Sequence, residues 1–324
     1  MLKIGSINLP SCPLMLAPME DITDPAFRAI CRKYGADLMY TEFISSEGLI
    51  RDAIKSIRKL NISDFERPIG IQIFGHDINS MKKAAELAEA AQPDLIDINF
   101  GCPVRKVVSK GAGAALLKDI NRMIEMTKVV VQSTSLPVTV KTRLGWDEKS
   151  KIIAEIAEQL QDTGIKALSI HARTRSQIYS GIADWTLIGE IKNNPRITIP
   201  IFGNGDIDSP KKALEMKEKY KVDGLMIGRA SIGNPWIFKQ VKEYLINGNL
   251  IPEPDLHERI AVCKEHLLLS VKEKGERSGI LEMRKHFKGY FKGVKNIKEY
   301  KISLLQTPTL PVTIDLLEKI ENTI

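Results

Sequence analysis

The stretch that decides the fold is DLIDINFGCPVRKVVSKGAGAALL, which covers residues 94–117. Its first part is an apolar strand that ends abruptly in a polar turn carrying Asn99 and Cys102. Parallel α/β enzymes place reactive groups in this way, because the strand end is rigid while the loop after it can reach a ligand. On this stretch alone, Cys102 is either a reactive thiol or one more small buried residue.

Composition limits the classes of protein to consider. The chain has 324 residues, 43% of them hydrophobic, which is enough for a barrel and a small additional domain. A net charge of +7 permits binding to a polyanion without requiring it. The four cysteines form no CxxC pair, so we expect neither a metal site nor a disulfide framework. With no signal peptide and no apolar run of membrane-spanning length, we expect a cytoplasmic protein without membrane attachment.

Short β-rich runs recur along the first 230 residues, mostly about 25–32 residues apart, and helical patterns follow them. This spacing is the length of one βα unit, and eight such units favour a (β/α)8 TIM barrel over an open doubly wound sheet. The predicted strands are 14–17, 37–43, 69–74, 95–100, 138–142, 167–171, 200–203 and 224–228.

The β signal disappears in the last part of the chain. A proline-punctuated linker precedes Asp255, which is predicted to cap a helix over 256–274, and further helices are predicted over 280–294 and 313–320. We therefore predict an α/β protein with a catalytic barrel over 1–248 and a small all-helical domain over 249–324.

Nearly every predicted strand ends in a polar or charged group. Active sites of such barrels lie at the carboxyl ends of the strands, so the convergence of these groups predicts a ligand site. The groups are Pro18-Met19, Glu42, Gln72, Asn99 with Cys102, Lys141 with Arg143, His171 with Arg173, Asn204-Gly205-Asp206 and Gly228-Arg229.

The ends of the last two strands are the usual phosphate position in this fold. The segments 204–206 and 228–229 supply glycines and a cation there, so we favour a phosphate site over purely structural turns. Neither GxGxxG nor GxxxxGK[ST] is present, so a mononucleotide cofactor across the rim fits better than a dinucleotide in a Rossmann cradle.

Lys141 and Cys102 each allow two chemistries. Lys141 could form a Schiff base, or it could sit beside a ring that becomes anionic, and His171 would assist either. Gln72 offers a donor and an acceptor to the edge of a pyrimidine or isoalloxazine ring. An unperturbed thiol, with a pKa of about 8.5, suits Cys102 to a proton donor better than to a thiolate nucleophile. A nucleophilic cysteine needs a neighbouring histidine, and its own loop contains none.

Taken together and in order, several short motifs resemble the tRNA-dihydrouridine synthases over nearly the whole chain, and most of all the bacterial branch labelled B. The most specific of them is Gly-Cys-Pro after Asp-Ile-Asn. The motifs are APMEDITD (17–24), YTEF (40–43), QIFG (72–75), DINFGCP (97–103), KTRLGW (141–146), HARTR (171–175), GNGD (203–206) and IGR (227–229).

The resemblance implies FMN on a TIM barrel, NADPH as its reductant and uridine in tRNA as substrate. By position, Cys102 would be the general acid, and Asn99 and Arg173 would orient the target uracil. Ala172 stands where the family often has glycine. The implied FMN-binding residues are Pro18, Met19 and Gln72 on the ring, Lys141 and His171 on its pyrimidine side, Asn204, Gly205, Asp206, Gly228 and Arg229 on the ribityl chain and phosphate, and Glu20.

A basic segment in the predicted helical domain has two interpretations. Helical spacing places Lys285, Lys288, Lys292 and Lys295 on one face and the aromatic side chains of 287–291 on another. This is either a solvated face over a hydrophobic stripe or a phosphate-binding face that contacts tRNA. With the resemblance, we expect a tRNA-binding domain in a monomeric protein.

Three alternatives stay open at this point. One is an FMN-dependent barrel that reduces a small unsaturated substrate, with the helices serving only assembly. The second is a lyase without redox chemistry that uses Lys141 as a Schiff base. The third is a non-catalytic RNA-binding protein on a barrel that has lost its activity.

Overall fold

The computed structural model describes residues 1–323, and its centre is a closed parallel barrel. The strands are β1 Leu2–Ile4, β2 Ile7–Leu9, β3 Leu14–Leu16, β4 Met39–Tyr40, β5 Ile44–Ser45, β6 Ile69–Phe74, β7 Leu95–Asn99, β8 Val138–Arg143, β9 Ala167–His171, β10 Ile201–Asn204 and β11 Gly224–Ile227. Eight of them hydrogen-bond in the order β3, β11, β10, β9, β8, β7, β6 and β4, and a parallel bridge between Met15 and Leu38 closes the ring. The predicted TIM barrel is therefore confirmed.

Helices follow the barrel strands and pack on the outside of the ring. The amphipathic helices α4 and α6, for example, bury Met81 and Met123 against the strands. The barrel helices are α1 Pro25–Lys33, α2 Ser46–Ile50, α3 Ile54–Arg58, α4 Ile78–Ala90, α5 Arg105–Val108, α6 Ile120–Gln132, α7 Ile153–Asp162, α8 Thr186–Asn193, α9 Pro210–Tyr220 and α10 Ile237–Asn247. Three short 3-10 segments accompany them, Asp64–Glu66, Gly113–Lys118 and Arg229–Ser231.

Two details at the start of the barrel differ from the prediction. The predicted second strand, 37–43, is interrupted: β4 and β5 both pair with β6, and the residues between them leave the ladder. An antiparallel hairpin of β1 and β2, which was not predicted, precedes the barrel. Ile4 and Leu9 of this hairpin pack with Met15 and Phe202, so the hairpin covers one end of the barrel interior.

Four helices form the C-terminal part: α11 Leu256–Lys274, α12 Glu276–Tyr290, α13 Lys298–Leu304 and α14 Leu310–Thr323. Asp255 caps α11 as predicted, in a capping box with Glu258. The helix predicted over 280–294 begins earlier and ends at Tyr290, and α13 was not predicted. The helices share an apolar core with Ile30 of α1, so they are docked on the barrel. The boundary between residues 248 and 249 stays a prediction.

No helix among residues 1–323 is long and apolar enough to cross a lipid bilayer.

The C-terminal helices meet the barrel at a contact between two glycines. A Cβ atom on Gly289 of α12 would lie 2.0 Å from the carbonyl oxygen of Ile232 and 2.8 Å from the Cα of Gly233. These two barrel residues follow the segment Arg229–Ser231, at the end of β11. The close approach therefore fixes α12 against a loop of the barrel rim.

We predict that Gly289→Ala lowers the free energy of unfolding by about 1–3 kcal/mol, because the added methyl group meets rigid backbone on the facing segment. The midpoint of urea-induced unfolding, followed by circular dichroism, measures the effect. Lys288→Ala is the matched control, since Lys288 is exposed on the same helix. Equal midpoints for the two variants would contradict a tight contact.

Candidate functional site

A pocket of about 630 Å³ opens at the carboxyl ends of the barrel strands. Its size is that of a small-molecule or cofactor site. Thirteen of the residues predicted from the sequence line it: Pro18, Met19, Glu20, Asn99, Cys102, Lys141, Arg143, His171, Asn204, Gly205, Asp206, Gly228 and Arg229. The residues predicted at the strand ends therefore meet in one pocket.

Strand register explains how residues far apart in sequence meet in this pocket. Asn99 at the end of β7 pairs with Lys141 of β8, and Arg143 of β8 pairs with His171 of β9. His171 in turn pairs with Asn204 of β10. Side chains at paired positions of neighbouring strands point to the same face, so these residues converge on the pocket.

The side-chain amide of Asn99 holds the loop that carries Cys102. Its Oδ1 accepts hydrogen bonds from the backbone N–H groups of Gly101 and Cys102, each 2.9 Å long. Its Nδ2 donates to Oε1 of Gln72 over 2.8 Å. Because an amide nitrogen has two hydrogens, one of them stays available to a molecule in the pocket.

Close packing supports the same loop from below. Gly113 has φ +59°, and a Cβ atom there would lie 3.0 Å from the carbonyl oxygen of Cys102 and 3.2 Å from its Cβ. That carbonyl also accepts from the N–H of Ala114 over 3.1 Å. Only glycine combines this backbone conformation with so close an approach to Cys102. Gly113 therefore fixes the position of the Cys102 backbone at the rim of the barrel.

Burial sets the charge of the three titratable groups at the centre of the pocket. Burial raises the pKa of the Cys102 thiol, against the lowering effects of the Val104 N–H and of Arg143. Desolvation, with the nearby Arg143, lowers the pKa of Lys141 to about 8. Burial and the surrounding cations hold the pKa of His171 well below its usual value. At neutral pH the pocket therefore contains a protonated thiol, a mostly charged lysine and a neutral imidazole.

The far end of the pocket, after β10 and β11, carries free backbone donors. Among residues 1–323, no hydrogen bond is donated by the backbone N–H groups of Gly205, Asp206, Gly228 or Arg229. Gly205 has φ +130°, and a Cβ there would lie 2.9 Å from that of Ala183. These features make a turn of exposed N–H groups, which is suited to an anion.

Asp206 connects this end of the pocket to two arginines. Its carboxylate accepts from NH1 and NH2 of Arg173 over 2.8 and 2.7 Å and from NH2 of Arg229 over 3.0 Å. Burial alone would raise the pKa of Asp206, but the hydrogen bonds from Arg173 and from the N–H of Ala183 outweigh it and lower the pKa. The carboxylate is therefore ionised, and the two arginines compensate its negative charge.

Three strand-end residues predicted for the site, Glu42, Gln72 and Arg173, do not line the pocket. Glu42 is buried, and its carboxylate accepts from the backbone N–H of Asp21 over 2.6 Å. Gln72 is fully buried and donates from Nε2 to Asp97 over 2.6 Å, so its observed contacts support Asn99. Arg173 is also buried, and its guanidinium is occupied by Asp206 and by the carbonyl oxygens of Ser180 and Gly181. The predicted contact of Arg173 with a substrate is not supported, because the N–H groups of its guanidinium already donate to these protein oxygens.

Arg143 was predicted among the strand-end groups without a role of its own, and Tyr179 was not predicted. Arg143 donates to the carbonyl oxygens of Gly101, Thr174 and Ile178 through Nε and NH1, and its NH2 makes no hydrogen bond within residues 1–323. Its position two residues after Lys141, on the same face of the strand, is what placed it among the predicted strand-end groups. Tyr179 lies in the loop after β9, where no periodic pattern predicts which way a side chain points.

The predicted RNA-binding lysines lie outside this pocket. Lys285 of α12 donates to the backbone oxygen of Asp21 over 2.9 Å and to Glu282 over 2.6 Å. Lys288 is exposed on the same helix. Lys292 and Lys295 lie beyond the end of α12, so the prediction that all four share one helical face is wrong. The aromatic side chains of Phe287, Tyr290 and Phe291 are buried, in agreement with a role as core.

Similarity to known proteins is extensive. A family model described as dihydrouridine synthase matches residues 15–323. The tRNA-dihydrouridine synthase B of Pseudomonas putida is 40% identical over 300 residues, which are 92% of this chain and 88% of the relative. A probable tRNA-dihydrouridine synthase of Rickettsia bellii is 36% identical over 311 residues, which are 95% of this chain and 94% of the relative.

Solved structures add a similarity of fold. An old yellow enzyme homologue from Zymomonas mobilis has a TM-score of 0.53 and 14% identity, covering 79% of this chain and 94% of that one. At this identity the similarity concerns the barrel alone. The family model and the relatives carry the assignment: the chain belongs to the dihydrouridine synthase family, in its B-type branch.

Proposed function

We propose that the protein reduces the C5=C6 bond of uridine in tRNA to 5,6-dihydrouridine, with FMN in the barrel pocket, NADPH as the reductant of FMN and Cys102 as the general acid. The observation that carries this proposal is a single pocket lined both by a protonated thiol and by a turn of free N–H groups. The family assignment and the names of the two relatives support the substrate.

The pocket residues fit FMN at both ends. The N–H groups of Gly205, Asp206, Gly228 and Arg229 would hold the phosphate, and Asn204 the ribityl chain. Pro18 and Met19 would contact the ring, and Lys141 and His171 would lie at its pyrimidine side. Glu20 lines the same pocket but is paired with Lys59 over 2.5 Å. Bound FMN would supply the two-electron reduction of the uracil double bond.

The chain itself would supply a proton and the orientation of the base. Cys102 donates the proton to C5 of the uracil ring, and its raised pKa keeps the thiol protonated at neutral pH. Asn99 offers its free Nδ2 hydrogen and Arg143 its NH2 group to the uracil carbonyls. Unstacking the target base costs a few kcal/mol, and less in a loop that is already distorted.

The C-terminal helices are proposed as a second contact with tRNA. Lys288 and Lys292 are exposed and form no ion pair within residues 1–323, so they can contact backbone phosphates. Lys285 is bound to Asp21, beside the pocket residues Glu20 and Ile22. It would therefore position α12 at the pocket mouth as well as contribute charge to the tRNA surface.

We predict that Cys102→Ala retains bound FMN and NADPH oxidation but loses dihydrouridine formation by about 10²–10⁴-fold, the usual contribution of a general acid. Nucleoside mass spectrometry after digestion of tRNA measures the product, and the flavin absorbance measures the cofactor. Cys12→Ala is the matched control, because Cys12 is only partly buried and does not line the pocket. Wild-type rates in Cys102→Ala would rule out the acid role.

We predict that the affinity of the FMN-free protein for FMN falls severalfold, about 3- to 10-fold, between pH 7 and pH 9. Lys141 has a lowered pKa of about 8, so it is charged below that pH and loses its attraction for an anionic ligand above it. Quenching of FMN fluorescence gives the dissociation constant.

Lys141→Gln should flatten this pH profile. Lys192→Gln should leave it unchanged, because Lys192 pairs with Asp223 away from the pocket. An identical profile for Lys141→Gln and the wild type would show that Lys141 does not act on the cofactor.

We predict that Lys288→Gln combined with Lys292→Gln lowers the salt dependence of tRNA binding and leaves FMN binding unchanged. Each lost phosphate contact reduces the slope of log K against log salt by about 0.7–0.9. Lys82→Gln, at an exposed position of α4, is the control. A slope equal to that of the control would show that tRNA does not contact Lys288 and Lys292.

A further inference from the structure

Two cationic side chains lie against one indole at the barrel rim. The Nζ of Lys118 is 4.0 Å from the centroid of the Trp146 ring, and the Cζ of Arg175 is 4.5 Å from it. We call these three residues the cation–indole cluster. A tryptophan face attracts cations, so the ring offsets part of the repulsion between the two charges.

The cluster is built from the loops that follow three successive barrel strands. Lys118 ends the 3-10 segment that begins at Gly113 after β7, Trp146 follows β8 and Arg175 follows β9. The N–H of Arg175 donates to the carbonyl oxygen of Gly145 over 2.9 Å. All three residues therefore lie on the face of the barrel where the pocket opens.

The same loops also form the pocket wall. Gly113 underlies Cys102, and Arg143 donates to the carbonyl oxygen of Thr174, next to Arg175, over 3.0 Å. Arg175 is thus adjacent in sequence to Thr174, Trp146 lies three residues after Arg143, and Lys118 lies five residues after Gly113. A polymer with one unit in the pocket would pass its neighbouring units over this part of the rim.

No carboxylate compensates the two charges. Neither Lys118 nor Arg175 forms an ion pair with a residue of 1–323. The nearby carboxylate of Asp119 caps α6 through the N–H of Arg122, and that of Asp147 accepts from Ser150 and Lys149. Two neighbouring cations without a compensating carboxylate attract an anion, because its charge offsets their mutual repulsion.

We propose that Lys118 and Arg175, held by Trp146, bind one backbone phosphate of the tRNA beside the nucleotide that enters the pocket. The proposal rests on the proposed function, since it takes tRNA as the substrate of this pocket. Phosphate contacts fix the register of a nucleic acid on a protein without reading its sequence. The cluster would therefore position the target uridine, and the C-terminal lysines would bind more distant phosphates.

The test is the salt dependence of tRNA binding to the FMN-loaded protein, with unmodified tRNA as the probe. The double variant Lys118→Gln and Arg175→Gln should raise the dissociation constant about 10-fold and lower the slope by about 0.7–0.9. The KM for tRNA should rise, while the FMN content and the KM for NADPH stay unchanged. Lys118→Arg, which keeps the charge, should retain most of the wild-type affinity.

Lys219 provides a matched control, because its Nζ lies 5.2 Å from the ring centroid of Tyr220 at the end of α9, on the outside of the barrel. Lys219→Gln removes a similar cation–aromatic pair and should change neither the slope nor the KM for tRNA. An unchanged slope in the double variant would overturn the proposal. So would a raised KM for NADPH with unchanged tRNA binding, since the phosphate bound would then be that of the reductant.

These outcomes separate this inference from the proposed function. If the wild-type protein forms no dihydrouridine in tRNA, the proposed function fails. If it does so and the double variant binds tRNA with the wild-type slope, only the role of the cation–indole cluster is wrong. A lowered melting temperature with an unchanged slope would assign the cluster to loop stability and would also reject phosphate binding.

Discussion

The geometry of the pocket depends on a buried chain of hydrogen bonds that ends at the Cys102 loop. Thr139 donates to Asp97 over 2.5 Å, Gln72 donates to the same carboxylate over 2.6 Å, and Asn99 donates to Gln72 over 2.8 Å. Asn99 then accepts from the N–H of Cys102. Each of the four side chains in this series has a partner, and removing one would leave the next unpaired at a cost of about 1–3 kcal/mol. The barrel strands thereby transmit their rigidity to a reactive loop.

Sequence alone could predict the barrel and most of the pocket for the same physical reason. Parallel strands place their carboxyl ends at one rim, so a strand-end residue such as Lys141, His171 or Asn204 needs only its strand to be identified. Beyond the end of a strand, the direction of a side chain depends on its contacts with residues of neighbouring loops, and the strand no longer determines it. Arg173 follows a strand directly, yet it turns to Asp206, a residue of the next strand's loop. No local pattern encodes such a pairing.

The C-terminal helices illustrate a second limit. The spacing of Phe287, Tyr290, Phe291 and Val294 satisfies a helical period, which predicts one helix through residue 294. The chain instead leaves the helix at Tyr290 and turns, with Gly293 at φ +78°. Phe291 is buried because it caps the helix: its N–H still donates to the carbonyl oxygen of Phe287 over 3.2 Å, so its ring stays on the buried side. Periodicity therefore identified the buried residues correctly, but it did not fix where the helix ends.

The protonation state of Cys102 is decided by a competition between burial and charge. Arg143 and Lys141 both favour the thiolate, yet desolvation is the largest effect on this group and the pKa is raised. An anion bound in the same pocket would oppose a second negative charge, so it would raise the pKa of Cys102 further and would also favour the charged form of Lys141. Occupation of the pocket by an anionic ligand thus stabilises the thiol together with the ammonium group. The state able to donate a proton is the one that the loaded pocket favours.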